Sequence, residues 1–274
     1  MRKTKNAILK TLLGLVGLFI VCICLFPLFW MVLTTFKTSR ELFSFSFWPK
    51  SLDFSNWGLL FEAEGLLQSL KISFIAAAMA VAGSFVNVLS GYAFARIDFK
   101  GKKFFWGYCL VPMFVPGIAT MIPCFMVVLR LGLLNTIPGL VIAGFAASGV
   151  MFYMRQYFLN IPMSLEEAAI IDGCNYIQSL FKVFIPNAIP AIVIVTTGAF
   201  MGCWNAYLWP VLTISDENLY PITLFMRFFK SERGTTNYGL IMAGGCLAAM
   251  PPIIVFLIFQ KYIVQGVKMS GLKG

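Results

Sequence analysis

Six long stretches of the chain carry no charged residue, and clusters of charged residues separate them. Each stretch is rich in Leu, Ile, Val, Phe, Met and Ala, and each exceeds the roughly 20 apolar residues that a membrane-spanning helix needs. The pattern therefore predicts an all-α membrane protein with six transmembrane helices in a single domain, residues 1–274. The predicted spans are residues 11–34, 71–95, 105–129, 137–157, 186–210 and 238–262.

The composition excludes a soluble domain. Hydrophobic residues make up 59% of the chain and charged residues only 12%, whereas a soluble domain has about 45–50% and about 25%. The basic start at Arg2 and Lys3 would also suit a secretory signal peptide, whose apolar region runs about 7–15 residues. The apolar run here continues past Trp30, so we expect a retained first helix.

Basic residues are distributed unevenly between the two predicted sides of the membrane. With the N-terminus inside, most of the 21 Lys and Arg residues fall in inside segments, and a minority, among them Lys230 and Arg233, fall outside. Because cytoplasmic loops carry an excess of Lys and Arg, we expect both termini to be cytoplasmic. The longest predicted outside segment, residues 37–71, is rich in aromatic residues. They fit either an interfacial belt or contact with an outside partner.

The sequence offers little for catalysis or metal binding. It contains no His, and no Asp, Glu, Lys or Arg lies deep in a predicted span. We therefore predict no catalytic residue, no metal site and no bound cofactor, and we disfavour an ion-coupled carrier, which usually has an ionisable residue there. Polar and aromatic side chains suited to a neutral polyhydroxyl solute are candidates for a substrate pathway, with packing or anchoring as the alternative: Asn87, Trp204, Asn205 and Tyr207.

The predicted cytoplasmic segment after the fourth span contains a short capped helix. Ser164 and Glu167 have the spacing of a capping box, and Glu166 lies in the first turn, where negative charge suits the helix dipole. Gly173 occupies the position after the helix end, where a left-handed residue is favoured.

One face of this predicted helix is small enough for another protein surface to approach closely. At 100° per residue, that face carries Leu165, Ala168, Ala169 and Asp172, and we expect Ile170 and Ile171 to point away from it, toward the membrane domain. The alternative is a helix lying on the lipid surface, but such helices usually carry Lys and Arg.

Here the sequence resembles a known family. Glu167-Ala168-Ala169, then Gly173 four positions on, then Ile185-Pro186 resemble the EAA motif of the permease subunits of binding-protein-dependent ABC importers. Further segments are similar to the sugar-uptake branch, in particular to the second permease of maltose-type importers. They are 91–96 (GYAFAR), 155–158 (RQYF), 204–210 (WNAYLWP) and the ending 259–274.

The resemblance implies the type I importer permease fold and a mechanism. A coupling loop, about residues 158–185, would dock on a cytoplasmic ATPase. Closure of the ATPase would switch the spans between inward-open and outward-open states. The residues implied in docking are Ser164, Leu165, Glu166, Glu167, Ala168, Ala169, Asp172 and Gly173. The implied partners are a second permease subunit, two copies of the ATPase, an extracytoplasmic solute-binding protein, a sugar and the bilayer, with no nucleic acid.

The same resemblance implies a location and a division of labour. The chain would lie in the bacterial inner membrane, and ATP and Mg would be bound by the partner ATPase, since this sequence lacks the phosphate-binding loop G-x-x-x-x-G-K-[ST]. An importer permease for another polar solute, such as a polyamine, peptide or phosphate ester, remains an alternative. An autonomous channel or secondary carrier and an intramembrane enzyme are further alternatives.

Overall fold

The structure is a computed structural model that describes residues 2–38, 40–44, 46–229 and 236–271, with side chains described except at 2–8, 43 and 265–271. Every regular element in these ranges is helical, which confirms the predicted all-α fold class. The predicted outside residues Lys230 and Arg233, and the last residues 272–274, lie outside the described part of the chain.

The elements follow one another along the chain with short connections. The α-helices are α1 (Arg2–Thr35), α2 (Ser55–Glu62), α3 (Leu66–Arg96), α4 (Lys102–Leu110), α5 (Gly117–Arg130), α6 (Ile137–Val141), α7 (Ser148–Leu159), α8 (Met163–Ile171), α9 (Tyr176–Ser179), α10 (Ile185–Asn187), α11 (Ile189–Trp204), α12 (Leu208–Thr213), α13 (Ile222–Phe225) and α14 (Tyr238–Gly271). The 3-10 turns are Glu41–Phe43, Val111–Phe114, Ile142–Gly144, Glu217–Leu219 and Met226–Phe229, and a π-helical turn covers Leu180–Phe184.

Three single helices in the described residues are long and apolar enough to cross a membrane. They are Leu9–Thr35 within α1, the whole of α3, and Tyr238–Val264 within α14. Three further apolar stretches consist of two helical pieces joined at a bend: 111° between 102–114 and 117–130, 53° between 137–144 and 148–159, and 84° between 176–187 and 189–204. If each bent pair is one span, the described residues contain the six spans that the sequence predicts.

In the structure, residues 105–129, 137–157 and 186–210 each contain a break between helical pieces. Val115, the residue before Pro116, has an extended backbone, φ −101° and ψ 125°, because the α-helical conformation is disfavoured for the residue before a proline. Pro190 lies in the first turn of α11, where the missing N–H costs nothing, so a new helix begins there. The predicted span 186–210 breaks again at residues 205–207, between α11 and α12.

The described residues form two compact units, of which unit 1 comprises residues 1–66 and 226–250. In it, the predicted outside aromatic segment folds onto the end of α1. Lys37 is 2% exposed, its Nζ donates to the Ser46 carbonyl at 2.7 Å, and it lies 4.2 Å from the Trp30 ring centroid. The Asn56 amide donates to the carbonyls of Thr35 and Lys37 at 2.9 and 3.1 Å. These contacts show that part of the predicted outside segment packs against the end of α1.

Unit 2 comprises residues 67–225 and 251–274, and its core joins α3 to α7 and α11. The helices approach closely at Gly91, where an added Cβ would lie 2.7 Å from the Met154 Cβ. The buried side chains of this core are Val88, Tyr92, Met154, Phe158, Ile161, Leu180, Phe184, Ala188, Ala191, Ile192 and Val195. Several of them lie in the predicted coupling loop, so this core connects that loop to α3.

Candidate functional site

The candidate site is α8, the helix within the coupling loop, and it begins two residues earlier than the predicted capping box requires. Pro162 precedes the helix with an extended backbone, and no side chain caps this end. Ser164 therefore lies inside the first turn, and the predicted capping box of Ser164 and Glu167 is wrong. Just before this start, the carbonyls of Phe158 and Ile161 accept hydrogen bonds from Arg96.

The other end of α8 agrees with the sequence. Gly173 has a φ of +77°, its N–H donates to the Ile170 carbonyl at 3.0 Å, and the Cys174 N–H donates to the Ala169 carbonyl at 2.9 Å. This pair of bonds is the Schellman motif that ends many helices. The predicted left-handed position after the helix is confirmed.

The two sides of α8 differ from the prediction. Glu166 and Ala169 are buried against the rest of unit 2, at 6% and 5% exposure, while Ile170 and Ile171 are 59% and 85% exposed. The predicted direction of the two isoleucines is wrong. Because the ion pair of Glu166 fixes the rotation of the helix, Ile171, five residues on, points to the opposite side.

The exposed surface of α8 is consequently more apolar than the small face that the sequence predicts. Of that predicted face, Leu165, Ala168 and Asp172 are exposed and Ala169 is buried. The neighbouring part of the coupling loop adds further exposed apolar side chains. The large ones in the loop are Leu159, Met163, Leu165, Ile170, Ile171, Tyr176, Ile177 and Phe181.

Arg96, the last residue of α3, organises the start of the site. Its Nη1 lies 3.1 Å from Oε2 of Glu166, and the two side chains are 6% and 8% exposed. Its Nη2 donates to the carbonyls of Phe158 at 2.7 Å and of Ile161 at 2.5 Å. The guanidinium also lies 5.0 Å from the Phe184 ring centroid. One side chain of α3 therefore holds three points of the coupling loop and packs against a fourth.

Sequence reasoning missed this role of Arg96, which it placed only in the segment 91–96 that is similar to the sugar-uptake branch. A signal was present. Glu166 has no basic residue three or four positions away in either direction, the spacing at which helical ion pairs form. A buried Glu166 therefore needed a partner from elsewhere in the chain.

The later part of the coupling loop is held by α3 as well. The Tyr92 hydroxyl, one turn before Arg96, donates to the Tyr176 carbonyl at 2.9 Å. Asn175 and Gln178 form a capping box at the start of α9, with both bonds at 2.9 Å. The sequence analysis did not identify this capped helix.

The predicted pathway residue Asn87 is a backbone brace. Its amide donates to the Phe145 carbonyl at 2.9 Å and accepts from the Ala147 N–H at 2.9 Å, so it satisfies the broken backbone between α6 and α7. Asn87 and Ala147 also line two open cavities of about 440 and 370 Å³. The linings of both cavities are mainly apolar.

The structure does not bring the four predicted pathway residues together. Trp204 is 1% exposed and packs against Phe74, with ring centroids 4.8 Å apart. Phe74 and Asn87 lie 13 positions apart on α3, which corresponds to about 20 Å along a helix. Asn205 and Tyr207 are exposed at the break between α11 and α12.

Comparisons with known proteins agree with this architecture. The family model described as "Binding-protein-dependent transport system inner membrane component" matches residues 87–269. The arabinooligosaccharides transport system permease protein of Halalkalibacterium halodurans is 30% identical, and the alignment covers 100% of both chains. The trehalose/maltose transport system permease protein of Thermococcus litoralis is 27% identical over 98% of this chain and 99% of the relative.

A solved structure shares the fold. It is described as a bacterial ABC transporter involved in the import of the acidic polysaccharide alginate, and one of its chains superposes with a TM-score of 0.83 at 24% identity. The superposition covers 94% of this chain and 98% of that chain. The arrangement of helices is therefore that of a chain in an ABC importer.

Proposed function

Because the chain belongs to the family of binding-protein-dependent transport system inner membrane components, we propose that it is the permease subunit through which a sugar importer moves oligosaccharides or related glycosides. It is a multi-pass membrane protein and a transport subunit. The sugar class rests on relatives aligned over almost the whole chain, which are named for arabinooligosaccharides and for trehalose and maltose.

Within this importer, α8 is the docking helix for a separate cytoplasmic ATPase. The support is its exposed apolar surface, since Ile171 is 85% exposed and Ile170 is 59% exposed. The buried side of the same helix is held by the ion pair of Arg96 and Glu166. Contiguous exposed apolar side chains mark protein interaction sites. The docking residues that the resemblance implies keep this role, with one change. Glu166 and Ala169 face inward and position the helix, while Leu165, Ala168 and Asp172 remain on the outer surface.

The remaining subunits follow from the same assignment. A second permease completes the pathway, two ATPase copies bind ATP and Mg, and an extracytoplasmic binding protein delivers the sugar to the outer mouth. Both termini and the coupling loop lie on the cytoplasmic side of a bacterial inner membrane. The basic residues near Arg96 support this orientation, since Lys100 lies in the turn after α3 and Lys102 and Lys103 begin α4, and cytoplasmic segments carry an excess of Lys and Arg.

The sugar pathway includes the break between α11 and α12. Asn205 and Tyr207 are exposed there, and together they offer an amide and an aromatic face with a hydroxyl, which suit a polyhydroxyl solute. Trp204 packs in the core next to this break. Asn87 contributes to the pathway indirectly, because it holds the backbone between α6 and α7.

Purification of the tagged chain from its native membrane, in mild detergent, tests the assignment. We expect a second permease and an ATPase to co-purify, and the ATPase activity to rise when a binding protein loaded with an oligosaccharide is added. A panel of arabino-, malto- and chito-oligosaccharides would name the sugar. A lone chain that moves sugar into vesicles without ATP would contradict the proposal.

A further inference from the structure

The last two turns of α3 carry the side chains that fix the coupling loop. Arg96 binds the segment just before α8 through the Phe158 and Ile161 carbonyls, and it binds α8 itself through Glu166. Tyr92, four positions earlier and therefore on the same face of α3, binds the Tyr176 carbonyl. The loop is thus tied to α3 both before and after α8.

Arginine is used here for more than its charge. The Arg96 Nη1 atom contacts Glu166 and lies 3.1 Å from the Met163 sulfur, while Nη2 binds two carbonyls. A lysine has three donors on one nitrogen and lacks the planar fork that reaches separate acceptors. Lysine could pair with Glu166, but it could not hold Phe158 and Ile161 at the same time.

The Nε of Arg96 is buried and meets no hydrogen-bond acceptor within the described residues. A buried donor without a partner is unfavourable. The site therefore tolerates one unpaired donor while the other nitrogens of the guanidinium bind the loop. This is expected if arginine is required at this position for the geometry of its planar fork, and not for a hydrogen bond at every nitrogen.

We propose that Arg96, with Tyr92, is the positioning residue of the coupling loop, fixing α8 in its docking orientation and tying its movement to α3. The proposal rests on the proposed function of α8 as the ATPase-docking helix. It adds that the movement of the closing ATPase is transmitted to the spans through α3, and not only through the helices next to the loop. Arg96 on α3 lies 70 residues from Glu166 in sequence.

The test uses the full chain in its purified complex, reconstituted in nanodiscs, with Arg96→Lys as the main variant. Hydrogen–deuterium exchange of residues 160–174 reports whether α8 is held. We expect exchange in this segment to become at least about tenfold faster. In proteoliposomes, we expect the sugar transported per ATP hydrolysed to fall at least about fivefold while hydrolysis continues, because the docked helix no longer moves α3.

Arg155→Lys is the matched control. Arg155 also joins α7 to α3, since its Nε donates to the Phe94 carbonyl at 3.1 Å and its guanidinium lies 4.4 Å from the Trp106 ring centroid. We expect this variant to leave exchange at 160–174 and the sugar-to-ATP ratio unchanged. Wild-type exchange in Arg96→Lys would overturn the proposal. Equal acceleration in both variants would also overturn it, because that would be a general loosening of this end of the bundle.

If Arg96→Lys does not assemble, Tyr92→Phe decides. This change removes one hydroxyl and keeps the ring among Phe158 and Phe184, and we expect about fivefold faster exchange at residues 176–180 only. No change there would overturn the proposal. Failure of the proposed function is seen separately, in a wild-type complex that binds no ATPase or transports no sugar, and the exchange measurement is independent of both results.

Discussion

Arg96 and Glu166 form an ion pair that is almost completely removed from solvent, at 6% and 8% side-chain exposure. Desolvating two charges is expensive, so such a pair is weak support for stability but fixes geometry well. The carbonyls of Phe158 and Ile161 offset part of the cost, because they accept hydrogen bonds from the same guanidinium. The pair therefore matters most for where α8 lies.

Replacing Glu166 with Ala should destabilise unit 2. The Arg96 charge would remain buried without its counter-ion, and loss of one partner of a buried pair costs about 3–5 kcal/mol. Chemical denaturation in detergent measures the free energy of unfolding. Asp98→Ala is the control, because Asp98 pairs with Lys102 at 3.1 Å while 97% exposed, and exposed pairs contribute little. Equal losses in both variants would mean that Arg96 does not depend on Glu166.

Gly173 provides a second prediction, which depends on backbone conformation alone. An added Cβ at Gly173 would meet no atom within 4 Å, but the φ of +77° costs an ordinary residue about 1–2 kcal/mol. Gly173→Ala should therefore loosen the end of α8 and lower ATPase co-purification. Gly173→Asn should retain most of both properties, because Asn tolerates the left-handed region. If the Ala and Asn variants lose ATPase co-purification equally, the size of the side chain at the interface, and not backbone strain, causes the loss.

At this scale, the sequence determined local features well and distant ones poorly. Gly173 was predicted correctly because a helix end is encoded within a few residues. Ser164 was assigned wrongly as a cap, and Ile171 was assigned to the wrong side. The second error has a distant cause: Arg96, 70 positions before Glu166, pairs with it and orients α8. No periodicity within residues 158–185 contains that information.

The helices themselves differ in how they cross the apolar layer. The prolines at 116 and 190 were visible in the sequence, yet the bends of 111° and 84° at these breaks depend on which neighbours satisfy the freed backbone groups. Between α6 and α7 the neighbour is α3. Asn87 binds the backbone of Phe145 and Ala147, and Gly83, one turn away, leaves room for the Phe145 ring. Length and hydropathy predict a span, but they do not predict its break.

Asn87→Leu should therefore reduce stability and leave substrate recognition unchanged. The substitution leaves the Phe145 carbonyl and the Ala147 N–H without their partner, at a cost of about 1–3 kcal/mol. We expect a lower free energy of unfolding with an unchanged KM for sugar uptake in the assembled fraction. The control is Asn187→Ala, since the exposed Asn187 amide bonds within its own turn, to the Val183 carbonyl. A raised KM with unchanged stability would instead identify Asn87 as a sugar contact.

In the whole molecule, the residues that carry the coupling proposal fall within the part of the chain that matches the family model. Residues 87–269 include Tyr92, Arg96 and the whole coupling loop. Apolar side chains are exposed in the described residues both on the spans and on α8. The spans expose Leu, Ile and Phe that lipid can cover, whereas α8 exposes Ile170 and Ile171. In the proposed orientation the basic segment 100–103 lies on the cytoplasmic side, in water, so lipid does not account for the exposure of Ile170 and Ile171.

Ile171→Glu should separate assembly from folding. Ile171 is 85% exposed in the isolated chain, so the charge is solvated there and the free energy of unfolding should not change. In the complex the same charge would have to be buried, and the apolar contact, about 1.5–3 kcal/mol for a fully buried side chain, would be lost. Because 1.4 kcal/mol is a factor of ten in affinity, we expect ATPase binding to weaken at least about tenfold, measured by titrating the ATPase onto the chain in nanodiscs. Lys100→Gln is the control, since it changes the net charge by the same amount on the exposed turn after α3 and lies outside the coupling loop. Unchanged affinity in Ile171→Glu would place the ATPase contact elsewhere on the loop.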